Sequence, residues 1–190
     1  YKNVLVGVEV MGQQWEHYFD KTEKAIGILL PNVNATPVTL LSLWASGKVP
    51  ALLNYSAGMT TLLSCCQLAN IKKVITSHRF LERARLDLSE MEKAGIELIY
   101  LEDIRTRITT KSKLSTLIRQ KFSRPFQAAP IDPEAVAAIL FTSGSEGVPK
   151  GVELTHANLM ANIRQMLSVI DLTDQDRVFN ALPLFHSFGL

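Results

Sequence analysis

The stretch Thr142-Ser143-Gly144-Ser145-Glu146-Gly147-Val148-Pro149-Lys150-Gly151 places three hydroxyls, three glycines and one lysine in ten residues. Glycine lets backbone N–H groups turn toward a bound anion with no side chain in the way, hydroxyls add donors, and lysine adds a positive charge. That is phosphate-gripping chemistry. The apolar run Ala135–Phe141 leads straight into it, so the loop follows a buried strand. It is not a Walker loop, because Lys150 is followed by Gly151 and not by Ser or Thr, and G-x-G-x-x-G has no match. Glycine and serine alone would equally describe a solvent-exposed connection. A second candidate is His186, in the apolar segment Ala181–Leu190. A lone histidine there is either a hydrogen-bonded core residue or a site residue, and residue type leaves both open.

The elements that must position these residues follow an alternating pattern. Short apolar runs read as strands at Ala25–Leu30, Pro50–Leu53, Lys73–Thr76, Ile96–Leu101, Ala135–Phe141 and Val178–Leu182. Between them, Thr36–Gly47, Thr60–Asn70, Leu81–Ala94 and His156–Ile170 carry apolar residues three to four apart, with Thr155 as N-cap of the last. This alternation predicts an α/β domain, layered, with a mainly parallel sheet flanked by helices. In the His156 helix, Leu159, Met160, Ile163, Met166, Leu167 and Ile170 form one stripe, expected to face the core.

Composition sets the bounds. Hydrophobic residues make up 47% and charged residues 20% of 190 residues, a mix that packs a core and does not stay disordered. A net charge of +2 is too small for a nucleic-acid-binding domain, so no nucleic-acid partner is expected. Cys65 and Cys66 are adjacent, a spacing that fits neither a disulfide framework nor a zinc site and points to a reducing, cytosolic setting; no metal-ligand cluster is expected. Polar residues and prolines interrupt the most hydrophobic stretch before it reaches the ~18 residues a spanning helix needs. The chain opens at Tyr1 without Met and closes directly after an apolar segment, so it reads as a fragment.

One shift in composition runs from Arg105 to Arg124, where seven Lys and Arg residues occur without an acid. Within it, Leu114, Leu117, Ile118 and Phe122 are spaced as one face of a short helix. Either the basic side is a solvated surface or it meets an acidic protein or an anionic lipid surface. Gln127–Pro133, with two prolines, reads as a connection.

The ten-residue string resembles the phosphate-binding signature of the AMP-forming acyl-adenylate synthetases, approximately Thr-Ser-Gly-Ser-Thr-Gly-x-Pro-Lys-Gly. It departs only at Glu146, where Thr is usual. Pro183-Leu184-Phe185-His186 resembles the Pro-Leu-x-His element of the fatty-acid branch. Leu30-Pro31-Asn32, Pro50–Gly58, Thr76-Ser77, Arg79–Leu81, Tyr100–Asp103 and the Ser-Glu-Gly loop variant together resemble one branch in particular. It is the synthetase domain of the bifunctional bacterial 2-acylglycerophosphoethanolamine acyltransferase/acyl-acyl-carrier-protein synthetases. That branch also carries Glu at the position of Glu146, and the resemblance weakens only over about the first twenty residues.

The resemblance implies that residues 1–190 are the N-terminal part of the large domain of an AMP-forming acyl synthetase. It implies ATP and Mg²⁺ as cofactors, with Thr142, Ser143, Gly144, Ser145, Glu146, Gly147, Lys150 and Gly151 at the phosphates. Glu146 would either point away from them or help hold magnesium, and His186 would line the acyl and thiol channel. The implied partners are a fatty acid, acyl carrier protein or coenzyme A, and a lysophospholipid reacylated by a separate acyltransferase domain at the cytoplasmic side of the inner membrane. The family's later elements, a Tyr-Gly-x-Thr-Glu segment, a ribose-binding Asp and a C-terminal Lys, have no counterpart in these residues. The fragment alone is therefore expected to be inactive. An ordinary fatty acyl-CoA synthetase is the nearest rival. A folded module that binds a nucleotide or partner without turnover is the rival of another class.

Overall fold

The structure, a computed structural model, describes residues 2–108, 116, 131–143, 148–173, 175–186 and 189. The elements in chain order are α1 (Lys2–Tyr18), β1 (Ala25–Ile28), α2 (Ala35–Ala45), β2 (Val49–Leu52), α3 (Met59–Leu68), β3 (Lys73–Thr76), α4 (His78–Ala84), α5 (Ser89–Lys93) and β4 (Glu97–Tyr100). They continue with α6 (Leu101–Arg107), β5 (Val136–Ser143), β6 (Pro149–Thr155) and the last described helix, which we number α7 (His156–Val169). Six strands form one sheet in the order β4-β3-β1-β2-β5-β6, parallel throughout except that β6 runs antiparallel to β5. The α/β expectation with a mainly parallel sheet holds.

The inner strands are near-continuous apolar runs because both faces of the sheet are covered, as parallel sheets require. On one face Trp15 of α1, Phe19 just after it, Leu40 and Leu43 of α2 and Ile104 of α6 cover Ile26, Ile28, Leu52, Ile75 and Leu140. On the other, Leu62, Cys65 and Cys66 of α3 and Met91 of α5 cover Leu53, Val74 and Ile139. A Cβ on Gly27 would come within 2.7 Å of Cγ2 of Val74, its partner on β3, and 3.1 Å of Ile71, so the neighbouring side chains leave room there for glycine. Burial pushes the Cys65 thiol up to about 11, and burial together with its neighbour pushes Cys66 up to about 12. Both thiols are therefore protonated and inert at neutral pH.

Four local expectations are settled by the fold, and only one survives intact. The helix expected over Leu81–Ala94 is two helices, because Arg85 adopts φ 52° and closes α4 in the left-handed region, while Asp87 accepts a hydrogen bond from the Ser89 N–H at 2.9 Å. No strand forms over Val178–Leu182: Val178 is 77% and Phe179 91% exposed, and no sheet neighbour meets them. Thr155 does cap α7, as expected, through a reciprocal pair with Asn158. The apolar stripe of α7, however, faces outward. The helix has no buried residue, and Leu159 and Ile163 of the stripe line an open groove across from α2. The basic helix expected over 114–122 lies outside the described residues apart from Thr116.

Candidate functional site

In open parallel sheets, ligands bind at the carboxyl ends of the strands. Here that edge carries the loops after β1 (Leu29–Asn34), β2 (Leu53–Gly58) and β3 (Ser77), together with the turn that leaves β5 at Ser143. The glycine-rich string is that turn. It is the β5–β6 hairpin, in which Thr142 pairs with Lys150, Ser143 with Pro149 and Phe141 with Gly151. Pro149 is tolerated because it is the first residue of an edge strand, where a missing N–H costs no ladder bond.

Side chains alternate across a sheet. Ile139 and Phe141 belong to the α3 face and Leu140 to the α1/α2 face, so Thr142 and Lys150 emerge together on the α1/α2 face. Directly opposed residues sit roughly 4.5–5.5 Å apart at Cβ. A hydroxyl and an ammonium thus stand side by side, both exposed, at the mouth of the turn. This arrangement offers donors and one positive charge to an anion. Gly151 sits on the opposite face, where a Cβ would only touch Leu68 at 3.5 Å, so that position does not require glycine for space. Gly144, Ser145, Glu146 and Gly147 lie outside the described residues.

Beside the hairpin, α2 and α7 flank an apolar groove of about 670 Å³ lined by Pro37, Leu40, Leu41, Trp44, Leu159 and Ile163. Trp44 fixes the wall of this groove to the sheet by donating from Nε1 to the Ala137 carbonyl at 2.6 Å, and its ring meets His156 edge-on at 6.3 Å. The segment from Asn180 to His186 returns over the carboxyl edge and closes one end of the groove with Asn180 and Leu184. His186 stands exposed at its tip, 4.9 Å from the Phe185 ring centre. Gly189 folds back so tightly that a Cβ there would collide with the Pro183 carbonyl, which explains glycine at this position. Among the described residues no group of three or more His, Cys, Asp or Glu could hold a metal ion. No described helix is long and apolar enough to cross a membrane.

Residues 20–190 match the family described as AMP-binding enzyme. The chain belongs to that family. It is 31% identical over 157 residues to long chain acyl-CoA synthetase 8 of Arabidopsis thaliana, covering 80% of this chain and 21% of that protein. It is 29% identical over 168 residues to the 2-succinylbenzoate–CoA ligase of Enterococcus faecalis, covering 88% of this chain and 30% of that one. Among solved structures, the o-succinylbenzoate CoA synthetase of Bacillus subtilis in complex with ATP and magnesium superposes with a TM-score of 0.77 at 19% identity. That match covers 98% of this chain and 45% of the other, and it shows the fold. The chain thus spans under a third of the length of the curated relatives it matches.

The hairpin and His186 are both legible in the sequence. Asn32, Tyr55 and Asn180, which lie at the carboxyl edge, and Trp44, which lies at the other end of the groove beside Ala137 at the start of β5, are given no role by it. Asn32 and Tyr55 fall in connections after apolar runs, where loops carry function, and within strings that carry the family resemblance, whereas Asn180 falls inside a run that reads as a strand.

Proposed function

We propose that the protein to which these residues belong activates a fatty acid with ATP and Mg²⁺ to an acyl-adenylate and passes the acyl group to a thiol. The observation that carries this reading is the Thr142–Lys150 pair at the mouth of a glycine-rich hairpin on the carboxyl edge of the sheet. A carboxylate oxygen attacks the α-phosphorus and pyrophosphate leaves; the thiol sulfur then attacks the acyl carbonyl, AMP leaves and the thiol proton is released. Positioning and charge stabilisation do most of the work in such phosphorus chemistry. Thr142, Ser143, Gly144, Ser145, Gly147 and Lys150 orient the departing β- and γ-phosphates. His186, exposed beside the apolar groove, borders the acyl or thiol channel.

The thiol acceptor in this reading is the phosphopantetheine of acyl carrier protein, which is acidic and suits the basic run that begins at Arg105 and Arg107 on the last turn of α6. An acyltransferase at the inner membrane would then use the acyl group to reacylate a lysophospholipid. Support comes from the Ser-Glu-Gly variant of the loop. The names of the curated relatives favour coenzyme A as the second acceptor to test. The full-length protein, charged with fatty acid and ATP, should form thioester faster with acyl carrier protein than with coenzyme A; the reverse order assigns it to the acyl-CoA synthetases.

Glu146 gives a sharper test. A carboxylate beside a triphosphate is tolerable only where a cation or distance offsets the repulsion. If Glu146 helps hold magnesium, Glu146→Thr in the full-length protein will need several-fold more Mg²⁺ for half-maximal rate. An identical Mg²⁺ dependence would leave Glu146 facing solvent with no part in the metal site.

A further inference from the structure

Two loops that leave neighbouring parallel strands reach the turn that carries His186, and a helix that follows a third strand backs one of them. From the loop after β1, Asn32 Nδ2 donates to the Leu182 carbonyl at 2.6 Å, across 150 residues of sequence. From the loop after β2, the Tyr55 ring meets Phe185 edge-on, with centres 5.0 Å apart and planes at 89°. From α4, which follows β3, Phe80 backs Tyr55 at 5.1 Å. The turn also braces itself: His186 N–H donates to the Pro183 carbonyl at 3.0 Å, and Asn180 accepts from the Leu182 N–H at 3.2 Å while donating to the Gly189 carbonyl at 3.0 Å. The aromatic contacts fix how far Phe185 sinks but slide easily along a ring face. A hydrogen bond to one named carbonyl fixes register. Among the described residues, Asn32 makes the polar side-chain bond that joins the body of the sheet to this turn.

We infer that Asn32 is a positioning residue, whose amide holds the Leu182–His186 turn in the register that presents His186 to the acyl end of the site. This role presupposes that His186 borders the acyl or thiol channel, as proposed for it. Asn32 is itself exposed, so replacing it leaves the core untouched. Asp at this position keeps the shape but sets a carboxylate oxygen against the Leu182 carbonyl. Gln keeps the donor.

The test compares Asn32→Asp, Asn32→Gln and His186→Ala in the full-length protein, by amide hydrogen exchange over residues 181–189 and by steady-state kinetics. In Asn32→Asp, exchange over 181–189 should quicken about three- to tenfold, the range of one net hydrogen bond. kcat/KM for the fatty acid should fall by a similar factor while the KM for ATP stays put, and Asn32→Gln should recover most of both. Unchanged exchange in Asn32→Asp overturns the inference, and so does faster exchange with unchanged fatty-acid kinetics. A His186→Ala variant with wild-type kinetics would instead sink the role assigned to His186. In that case a parallel loss of exchange protection and fatty-acid kinetics in Asn32→Asp would still show Asn32 holding the turn.

Discussion

Replacing Lys150 by alanine in the full-length protein is expected to lower kcat/KM for ATP about ten- to hundredfold, because a charge-assisted hydrogen bond carries ~1.5–3 kcal/mol. Lys150 is exposed on an edge strand and opposes Thr142, so its removal costs the fold little. The loss should therefore appear in ATP kinetics and not in the unfolding transition. Lys150→Arg should fall between wild type and alanine, since it keeps the charge but spreads it over a planar fork of different reach. Wild-type ATP kinetics in Lys150→Ala would remove the hairpin from the phosphate site.

The largest expected effect on stability lies at Trp15, far from that hairpin in sequence. Its side chain is 1% exposed, packs at 5.2 Å against Phe19 and donates from Nε1 to Ser42 Oγ at 2.9 Å, clamping α1 onto α2 over the sheet. Trp15→Ala leaves a cavity worth about 3–5 kcal/mol, a large part of the ~5–15 kcal/mol that holds a typical domain folded. Urea unfolding of the full-length variant should show a loss of stability of that size, with Trp15→Phe losing less. A loss under about 1 kcal/mol would mean that α1 does not complete the core.

These two residues also mark what the sequence makes legible. Lys150 is visible because its surroundings are dense in glycine and hydroxyl, a local chemical signal that needs no knowledge of the fold. The strand before it is visible for a similar reason, since a strand buried on both faces reads as one apolar run. β6 escapes periodicity because it is an edge strand, largely exposed, and contains Pro149 and Gly151. α6 escapes because seven residues with one buried side chain, Ile104, make no stripe. The apolar period of α7 correctly finds the helix, but period reports only that a face is apolar and not what covers it; Met160 and Ile163 are 46% and 44% exposed. The bond from Asn32 to Leu182 has no local sequence signal at all, because it joins residues 150 apart.

The central claim, that this protein makes an acyl-adenylate, is tested most directly by ATP–pyrophosphate exchange. The full-length protein is incubated with ATP, Mg²⁺ and labelled pyrophosphate, with and without a fatty acid and with no thiol acceptor present. Reversible adenylation of a fatty acid predicts label entering ATP only when fatty acid is present, and about ten- to hundredfold more slowly in Lys150→Ala. No fatty-acid-dependent exchange in a folded, ATP-binding protein would contradict it.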